Sequence, residues 1–267
     1  MKKITKPERI RMADGSKGFL EIDFPIIRVT GVWSLLRSSF KIFFGNFLVI
    51  LKVVLVVSLP LKFVKNWVLS FAGVQDPMAI FIPLEPGIRL VFGSLVIPAL
   101  VFALFQRFRG GKNPQIVDCF RWGLRQWPRV FLNEGLAGLF ILGGLVFLVV
   151  PGIYFSICFV FVGIIVSIEA DNRKHVLRRS RELVRDNWWL LFISFFVVFV
   201  LLFLVGLIPI VAERTISFHG NWFYFFLADC LSDVVGGFSL VVFLLAYLHL
   251  VSLEKEKEAE PTSPKTV

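Results

Sequence analysis

Charged residues, cysteines and nucleotide-binding motifs are all scarce in this sequence of 267 residues. Lys, Arg, Asp and Glu make up 18% of the chain, against about 25% in ordinary soluble domains. The three cysteines, Cys119, Cys158 and Cys230, form no CxxC motif, so we expect neither a disulfide framework nor a zinc site. Walker and Rossmann glycine patterns and the glycine elbow of a hydrolase are missing from the sequence. The low charge argues against a soluble domain, and the missing motifs lead us to expect no cofactor.

Hydrophobic side chains are abundant instead, at 57% of the residues, and they include 31 Phe. They form six stretches long enough to cross a hydrocarbon core of about 30 Å, which takes about 20 helical residues. The six predicted spans are residues 42–64, 88–107, 131–150, 152–169, 189–211 and 223–252. The sequence therefore predicts an all-α, polytopic membrane protein with six transmembrane helices and cytoplasmic amphipathic interface helices.

The predicted spans divide the chain into three regions. Residues 1–41 are expected to form a cytoplasmic N-terminal arm with an interface helix, and residues 42–253 a six-helix transmembrane domain. Residues 254–267 are polar and carry two prolines, so we expect a disordered cytoplasmic tail. Pro151 and Gly152 separate the third and fourth spans. This pair predicts a tight turn within a helical hairpin.

Lysine and arginine are distributed unevenly between the predicted connections. They are frequent before the first span, in residues 107–129 and in residues 173–185, and they are rare in the other connections. Cytoplasmic loops of membrane proteins are enriched in these residues. The alternation predicts that both termini are cytoplasmic; a bacterial inner membrane and an organelle membrane of bacterial ancestry both fit this pattern.

The segments that precede three of the spans resemble one another. At one constant offset, Leu36, Ser39 and Asn46 of LLRSSFKIFFGNF match Leu177, Ser180 and Asn187 of VLRRSRELVRDNW, and a looser copy is CFRWGLRQWPRVF. One interpretation is a chain of three units, each with a surface helix followed by a transmembrane hairpin. The other is that basic and aromatic residues collect at the cytoplasmic interface of any membrane protein. Both interpretations stay open at this point.

The most charged helical segment lies between the fourth and fifth spans. Its apolar positions fall on one side of a helix, which is typical of a helix in the headgroup layer, where each basic residue gains about 1 kcal/mol from anionic lipid. The residues assigned to this membrane-interface helix are Arg178, Arg179, Arg181, Arg185, Trp188 and Trp189. Nucleic-acid binding needs stacking aromatics exposed to water, whereas these aromatics lead into a span. We expect the lipid bilayer and its anionic headgroups as partners and no nucleic acid, with a phosphate or partner-protein site as the alternative.

Charged residues inside spans are costly and are therefore candidate sites. Lys52 lies in the first span, and Asp229 and Asp233 lie four residues apart in the sixth. Counting about 1.5 Å of rise per residue from opposite membrane faces brings Lys52 and Asp233 to a similar depth. They are predicted to form an intramembrane charge pair that holds the first helix against the last, with a proton or ion relay as the alternative. Asp229 has a second interpretation, as a residue of the outer interface.

Two glutamates are expected near the cytoplasmic ends of their spans. Ion pairs of Glu134 and Glu169 with Arg129 or Arg173 would orient the loops, and a catalytic carboxylate pair is the alternative. The three histidines are scattered along the chain without convergent ligands, so no metal site is predicted.

A longer pattern resembles a known family. Pro151–Tyr154 is a Pro-Gly-Ile-Tyr turn, Glu169 closes the next span, Arg179 and Ser180 form an Arg-Ser pair, and Asn187–Trp189 reads Asn-Trp-Trp. This pattern resembles the YciC-like bacterial inner-membrane proteins and the membrane domain attached to some glycerophosphoryl diester phosphodiesterases. The resemblance implies a six-helix integral membrane domain. The phosphodiesterase chemistry belongs to a separate barrel domain of on the order of 200 residues, for which this chain has no room.

The sequence leads us to expect a non-catalytic integral membrane protein. It would act as a structural or accessory subunit of a membrane complex, with other membrane protein subunits as partners, or as an envelope-homeostasis factor. A transporter or channel for a small solute or lipid is the alternative, and it requires that Lys52, Asp229 and Asp233 face a hydrated cavity. A membrane-embedded enzyme acting on lipid headgroups is the third hypothesis, and it requires Glu134 or Glu169 beside other acids or histidines.

Overall fold

The computed structural model describes residues 31–71, 77–108, 114–169, 175–216 and 222–259. Within these ranges all regular structure is helical and no strand occurs. The helices of the described ranges are α1 Val32–Gly45, α2 Phe47–Phe71, α3 Pro77–Phe108, α4 Ile116–Phe147, α5 Val149–Cys158, α6 Val162–Ile168, α7 Val176–Arg185, α8 Trp188–Ile216 and α9 Trp222–Ala259. Residues 1–30 of the predicted N-terminal arm lie outside the described ranges.

Within the described ranges, six helical segments are long and apolar enough to cross a membrane, by their length and composition. They are Phe47–Val64, Leu90–Arg107, Ile116–Phe147, Val149–Ile168, Trp188–Ile208 and Cys230–Lys257. The predicted all-α fold class and the predicted number of spans are therefore confirmed.

The expected surface helix before the third span is not a separate element. Residues 119–131 belong to α4, which runs unbroken from Ile116 to Phe147. This part of α4 packs lengthwise against α3, and Gly123 makes the close approach possible. A Cβ added at Gly123 would lie 3.1 Å from the Ala99 Cβ and 3.2 Å from the Leu95 carbonyl oxygen. The α3–α4 contact therefore extends beyond the predicted third span.

The turn between α4 and α5 consists of one residue. Leu148 has extended backbone angles, φ −165° and ψ 147°, and α5 begins at the next residue. The predicted Pro-Gly turn is wrong, because Pro151 and Gly152 are the third and fourth residues of α5. Proline is tolerated there because the first helical turn leaves its N–H positions without intrahelical acceptors. Gly152 has a packing role instead, since the Leu145 side chain occupies the space that a Cβ at Gly152 would need.

The fourth span is broken into two helices. α5 ends at Cys158, residues 159–161 form a turn, and α6 begins at Val162. The Cys158 carbonyl at this break accepts a hydrogen bond of 2.7 Å from the Ser180 hydroxyl of α7. All residues of α6 are buried. The carbonyl at the break therefore has a donor from the protein, as a backbone group freed by a broken span requires.

The last helix continues beyond the predicted sixth span. α9 extends to Ala259, so residues 254–259 are helical, and the prediction of a disordered tail is wrong for them. The ion pair of Lys257 with Asp186, 3.5 Å apart, helps to hold this extension against the start of α8. Residues 260–267 lie outside the described ranges.

Candidate functional site

Four side chains from three elements meet at one end of the bundle and form what we name the polar cluster. They are Glu169, Arg179, Tyr247 and Glu254. The hydroxyl of Tyr247 donates a hydrogen bond of 2.6 Å to Oε1 of Glu169. Arg179 donates from its two terminal nitrogens to the two oxygens of Glu254, at 2.6 and 2.5 Å, and its Nε lies 3.7 Å from Oε1 of Glu169.

Local structure explains why these four residues meet. Glu169 caps the C-terminus of α6 with an extended backbone, which turns its side chain out of the helical ladder. Tyr247 and Glu254 are seven residues apart on α9, about two helical turns, so they lie on the same side of that helix. Arg179 is next to Ser180, a residue of the buried side of α7. The polar cluster therefore joins the end of α6, the middle of α7 and the end of α9.

Each charged side chain of the polar cluster lies close to a side chain of opposite charge. The bidentate hydrogen bonds to Glu254, together with the charge of Glu169, raise the pKa of Arg179 further above its already high ordinary value. Arg179 is thus a permanent cation, and bidentate arginine–carboxylate pairs are among the strongest side-chain hydrogen bonds. Tyr247 is fully buried, and its bond to Glu169 gives its hydroxyl the partner that a buried polar group requires. This geometry is suited to holding three helices together.

The second glutamate singled out in the sequence lies elsewhere. Glu134 is half-buried on α4, and its Oε1 occupies the space that a Cβ at Gly163 of α6 would need. Gly163 and Glu169 are six residues apart, about 9 Å along α6, so the structure separates the two carboxylates. The expected ion pair of Glu134 with Arg129 is wrong. The two residues are five positions apart on α4, so the exposed Arg129 points about 140° away from Glu134 around the helix axis. Arg173 lies outside the described residues.

The intramembrane charge pair involves a different lysine from the predicted one. Oδ1 of Asp233 lies 3.6 Å from Nζ of Lys62, and their side chains are only 19% and 13% exposed. Lys52 is exposed on the surface of the bundle, so the predicted pairing of Lys52 with Asp233 is wrong. Helical side chains lean toward the N-terminus of their own helix. On the antiparallel helices α2 and α9, Lys62 leans toward the level of Asp233 and Lys52 leans away from it. The side chain of Asp229 lies outside the described residues.

The six residues assigned to the membrane-interface helix divide into two groups. Arg178, Arg181, Arg185 and Trp189 are exposed, whereas Arg179 and Trp188 are half-buried. Arg179 belongs to the polar cluster, and the ring of Trp188 stacks on Phe192 with centroids 5.0 Å apart. The apolar side of α7 packs against the protein itself. The position of α7 at a membrane surface stays a prediction.

A shallow depression of about 200 Å³ lies over α7, lined by His175, Arg178, Arg179 and Glu182. Nε of Arg178 donates a hydrogen bond of 2.8 Å to Glu182, and this bond lowers the pKa of the Glu182 carboxyl. Among the described residues, no three His, Cys, Asp or Glu side chains are grouped so that they could hold a metal ion.

Sequence reasoning missed three residues that the structure brings into these contacts. Tyr247 stands in an apolar run, and its hydroxyl was the signal that a buried partner was needed. Glu254 was assigned to the tail, although it follows Tyr247 by seven residues on the same helical side. Lys62 was counted among the few basic residues of the connection after the first span and was not considered as a partner of Asp233.

These features together define a polytopic α-helical membrane protein whose polar side chains pair across helices. No family model, curated protein or solved structure matches the chain.

Proposed function

We propose that the protein is a non-catalytic structural or accessory subunit of a membrane complex, or an envelope-homeostasis factor. One observation carries this proposal: at two helix contacts the charged side chains are engaged with one another. The polar cluster joins α6, α7 and α9, and the ion pair of Lys62 with Asp233 joins α2 and α9. Charges engaged in this way hold helices together and form no chain along which a proton or ion would move.

The proposal includes a bacterial inner-membrane location with both termini in the cytoplasm. The alternation of positive charge between the connections supports this orientation. The exposed charged side of α7 and the 70% exposure of Trp189 at the start of α8 also support it, because tryptophan and basic residues collect at the membrane interface. Anionic lipid and other membrane protein subunits are the proposed partners. Membership in the YciC-like family stays a prediction.

A transport function is a second candidate, and one observation favours it. The break at residues 159–161 lies close to Gly163, which contacts Glu134, a carboxylate with no ion pair or hydrogen bond to the part of the chain that the structure describes. Broken helices and unpaired acids at membrane depth mark binding sites in many transporters. The hydrogen bond from Ser180 of α7 to the carbonyl at the break favours a structural explanation over this one.

Purification distinguishes the two candidates. A tagged chain extracted in a mild detergent is expected to bring with it one or more membrane proteins in a fixed ratio, measured by quantitative mass spectrometry. Substitution Glu134→Gln should leave that ratio unchanged, because glutamine has the same shape, keeps the packing against Gly163 and loses no ion pair. The subunit proposal is contradicted if the chain purifies alone and, in liposomes, moves a solute in a way that Glu134→Gln abolishes and the control Asn133→Ala does not.

The proposed orientation has its own test. In a Cys230→Ser background, Leu148→Cys and Lys257→Cys put reactive thiols at opposite ends of the bundle, at positions that are both exposed. A membrane-impermeant maleimide added to intact cells is expected to label the first variant and to label the second only after permeabilisation. The opposite labelling pattern would reverse the orientation.

A further inference from the structure

The three similar segments before the spans share a pattern of burial as well as of sequence. The copies are residues 35–47, 119–131 and 176–188. The first position of each copy is buried and is occupied by Leu35, Cys119 and Val176. The fifth position is buried and small in every copy, with Ser39, Gly123 and Ser180. Common burial at equivalent positions is not expected from a mere accumulation of basic and aromatic residues, so it favours true repetition of one unit.

The third position of each copy is an exposed arginine. These residues are Arg37, Arg121 and Arg178. Arg37 and Arg121 form no ion pair with the described residues, and Arg178 pairs with Glu182, where both side chains are largely exposed, at 75% and 48%. Exposed pairs of this kind are weak, about 0.2–1 kcal/mol. The third position of each copy therefore presents an exposed arginine to a partner outside the bundle.

Eleven residues beyond each arginine, the exposed side chain is large and apolar. These residues are Leu48, Leu132 and Trp189, and their exposures are nearly equal, at 67%, 68% and 70%. Arg121 and Leu132 share the unbroken helix α4, where eleven residues are about three turns, so they lie on the same side about 16 Å apart along the axis. In the other two units one helix ends after the arginine and the next begins just before the apolar residue, at Phe47 and at Trp188. Each unit thus has an exposed arginine before its predicted span and an exposed apolar side chain at or near the beginning of that span.

We propose that Arg37, Arg121 and Arg178 are three equivalent binding positions for the phosphate of an anionic phospholipid. The planar guanidinium suits bidentate contact with phosphate. The exposed apolar residue eleven positions later in each unit belongs to the segment that leads into the bilayer, where the acyl chains of that lipid would run. An exposed arginine followed by an exposed apolar residue therefore fits a lipid better than a soluble acidic protein, which would contact the charge but not the apolar surface. The proposal rests on the bilayer orientation given above and not on the accessory role, so either can fail without the other.

Native mass spectrometry tests this proposal on the full chain. The protein is released from nanodiscs containing equal amounts of phosphatidylglycerol and phosphatidylcholine, and the bound lipids are counted. We expect three retained phosphatidylglycerol molecules in excess of phosphatidylcholine. Each of Arg37→Gln, Arg121→Gln and Arg178→Gln should remove one of them and weaken that position about fivefold, since one basic residue near anionic lipid contributes on the order of 1 kcal/mol.

A matched triple variant removes the same amount of charge away from the repeated position. It carries Lys41→Gln, Arg129→Gln and Lys257→Gln, all at exposed sites, and it should retain all three lipids. Equal lipid loss in both triple variants would overturn the proposal in favour of unspecific charge attraction. An unchanged lipid count with loss of a co-purifying chain from Arg37→Gln/Arg121→Gln/Arg178→Gln would also overturn it, and would assign the arginines to a protein partner. Gel filtration and helical circular dichroism confirm that each variant counted is folded.

Discussion

The close contact between α4 and α5 predicts opposite effects of alanine at two neighbouring glycines. A Cβ at Gly144 would lie 2.9 Å from Cδ2 of Phe155 and 3.0 Å from both the Cα and the N of Gly152. Two of these three atoms are backbone, so the clash cannot be relieved by turning one side chain. A Cβ at Gly143 would meet nothing within 4 Å. The two substitutions thus have the same chemistry and helical context, and they differ in what the added methyl group meets.

The expected magnitudes follow from this difference. Glycine to alanine inside a helix stabilises by roughly 0.5–1 kcal/mol when the methyl group is free, because the unfolded chain loses flexibility. Overpacking a close contact typically costs about 1–3 kcal/mol. Gly143→Ala should therefore be neutral or slightly stabilising, whereas Gly144→Ala should be destabilising by about 1–2 kcal/mol. A net separation of about 2 kcal/mol corresponds to about 4–8 °C in melting temperature by the scale known for soluble proteins of similar size.

Thermal unfolding in one detergent, followed by tryptophan fluorescence, measures the separation directly. Both variants are compared with the unchanged chain at the same scan rate, because membrane proteins commonly unfold irreversibly. Equal melting temperatures for Gly143→Ala and Gly144→Ala would refute the close α4–α5 contact. If Gly144→Ala were more stable than Gly143→Ala, the contact would be refuted more strongly. That result would mean that no atom of α5 lies close to Gly144.

Three further predictions concern the buried polar contacts. Arg179→Gln should lower the free energy of unfolding by about 1–3 kcal/mol, because two carboxylates of the polar cluster lose their cation. This cost lies between those of exposed and of buried ion pairs. An unchanged melting temperature would contradict this role. Ser180→Ala should lower the free energy of unfolding by about 1–3 kcal/mol, because the carbonyl at the break of the fourth span loses its donor. The control Ser39→Ala should have little effect, because the Ser39 hydroxyl donates only within its own helix. The losses of stability from Lys62→Met and Asp233→Leu should be less than additive in the double variant, because either single substitution already removes the ion pair. Additive losses in this double-mutant cycle would exclude the pair.

The sequence was sufficient for the coarse architecture, because hydropathy over about 20 residues is a local property of the chain. The fold class and the six spans were predicted for this reason. The prediction of a turn at Pro151 and Gly152 was wrong. Pro151 is compatible with the first turn of α5 and Gly152 allows close packing, but in a sequence a Pro-Gly pair also indicates a turn. Local patterns did not indicate that α4 would begin at Ile116, since its first part is stabilised by contact with α3.

The candidate site was less predictable because it depends on contacts between distant residues. Counting residues from each membrane face gave Lys52 as the partner of Asp233, but the count ignored the direction in which helical side chains lean, and this direction selects Lys62. Arg179 and Glu169 were recognised as noteworthy residues. Their partners on α9 could not be identified, because nothing in the sequence fixes the rotation of that helix about its axis.

The polar cluster also has a consequence for the order in which the chain is assembled. Glu169 emerges from the ribosome 78 residues before Tyr247, and Arg179 emerges 75 residues before Glu254, at synthesis rates of about 5–20 residues per second. During this interval of several seconds the carbonyl at the break can already be bonded by Ser180, but the main partner of Arg179 does not yet exist. The last helix therefore provides the carboxylate that binds Arg179 through two hydrogen bonds. A chain that ends before α9 would contain Arg179 without this partner.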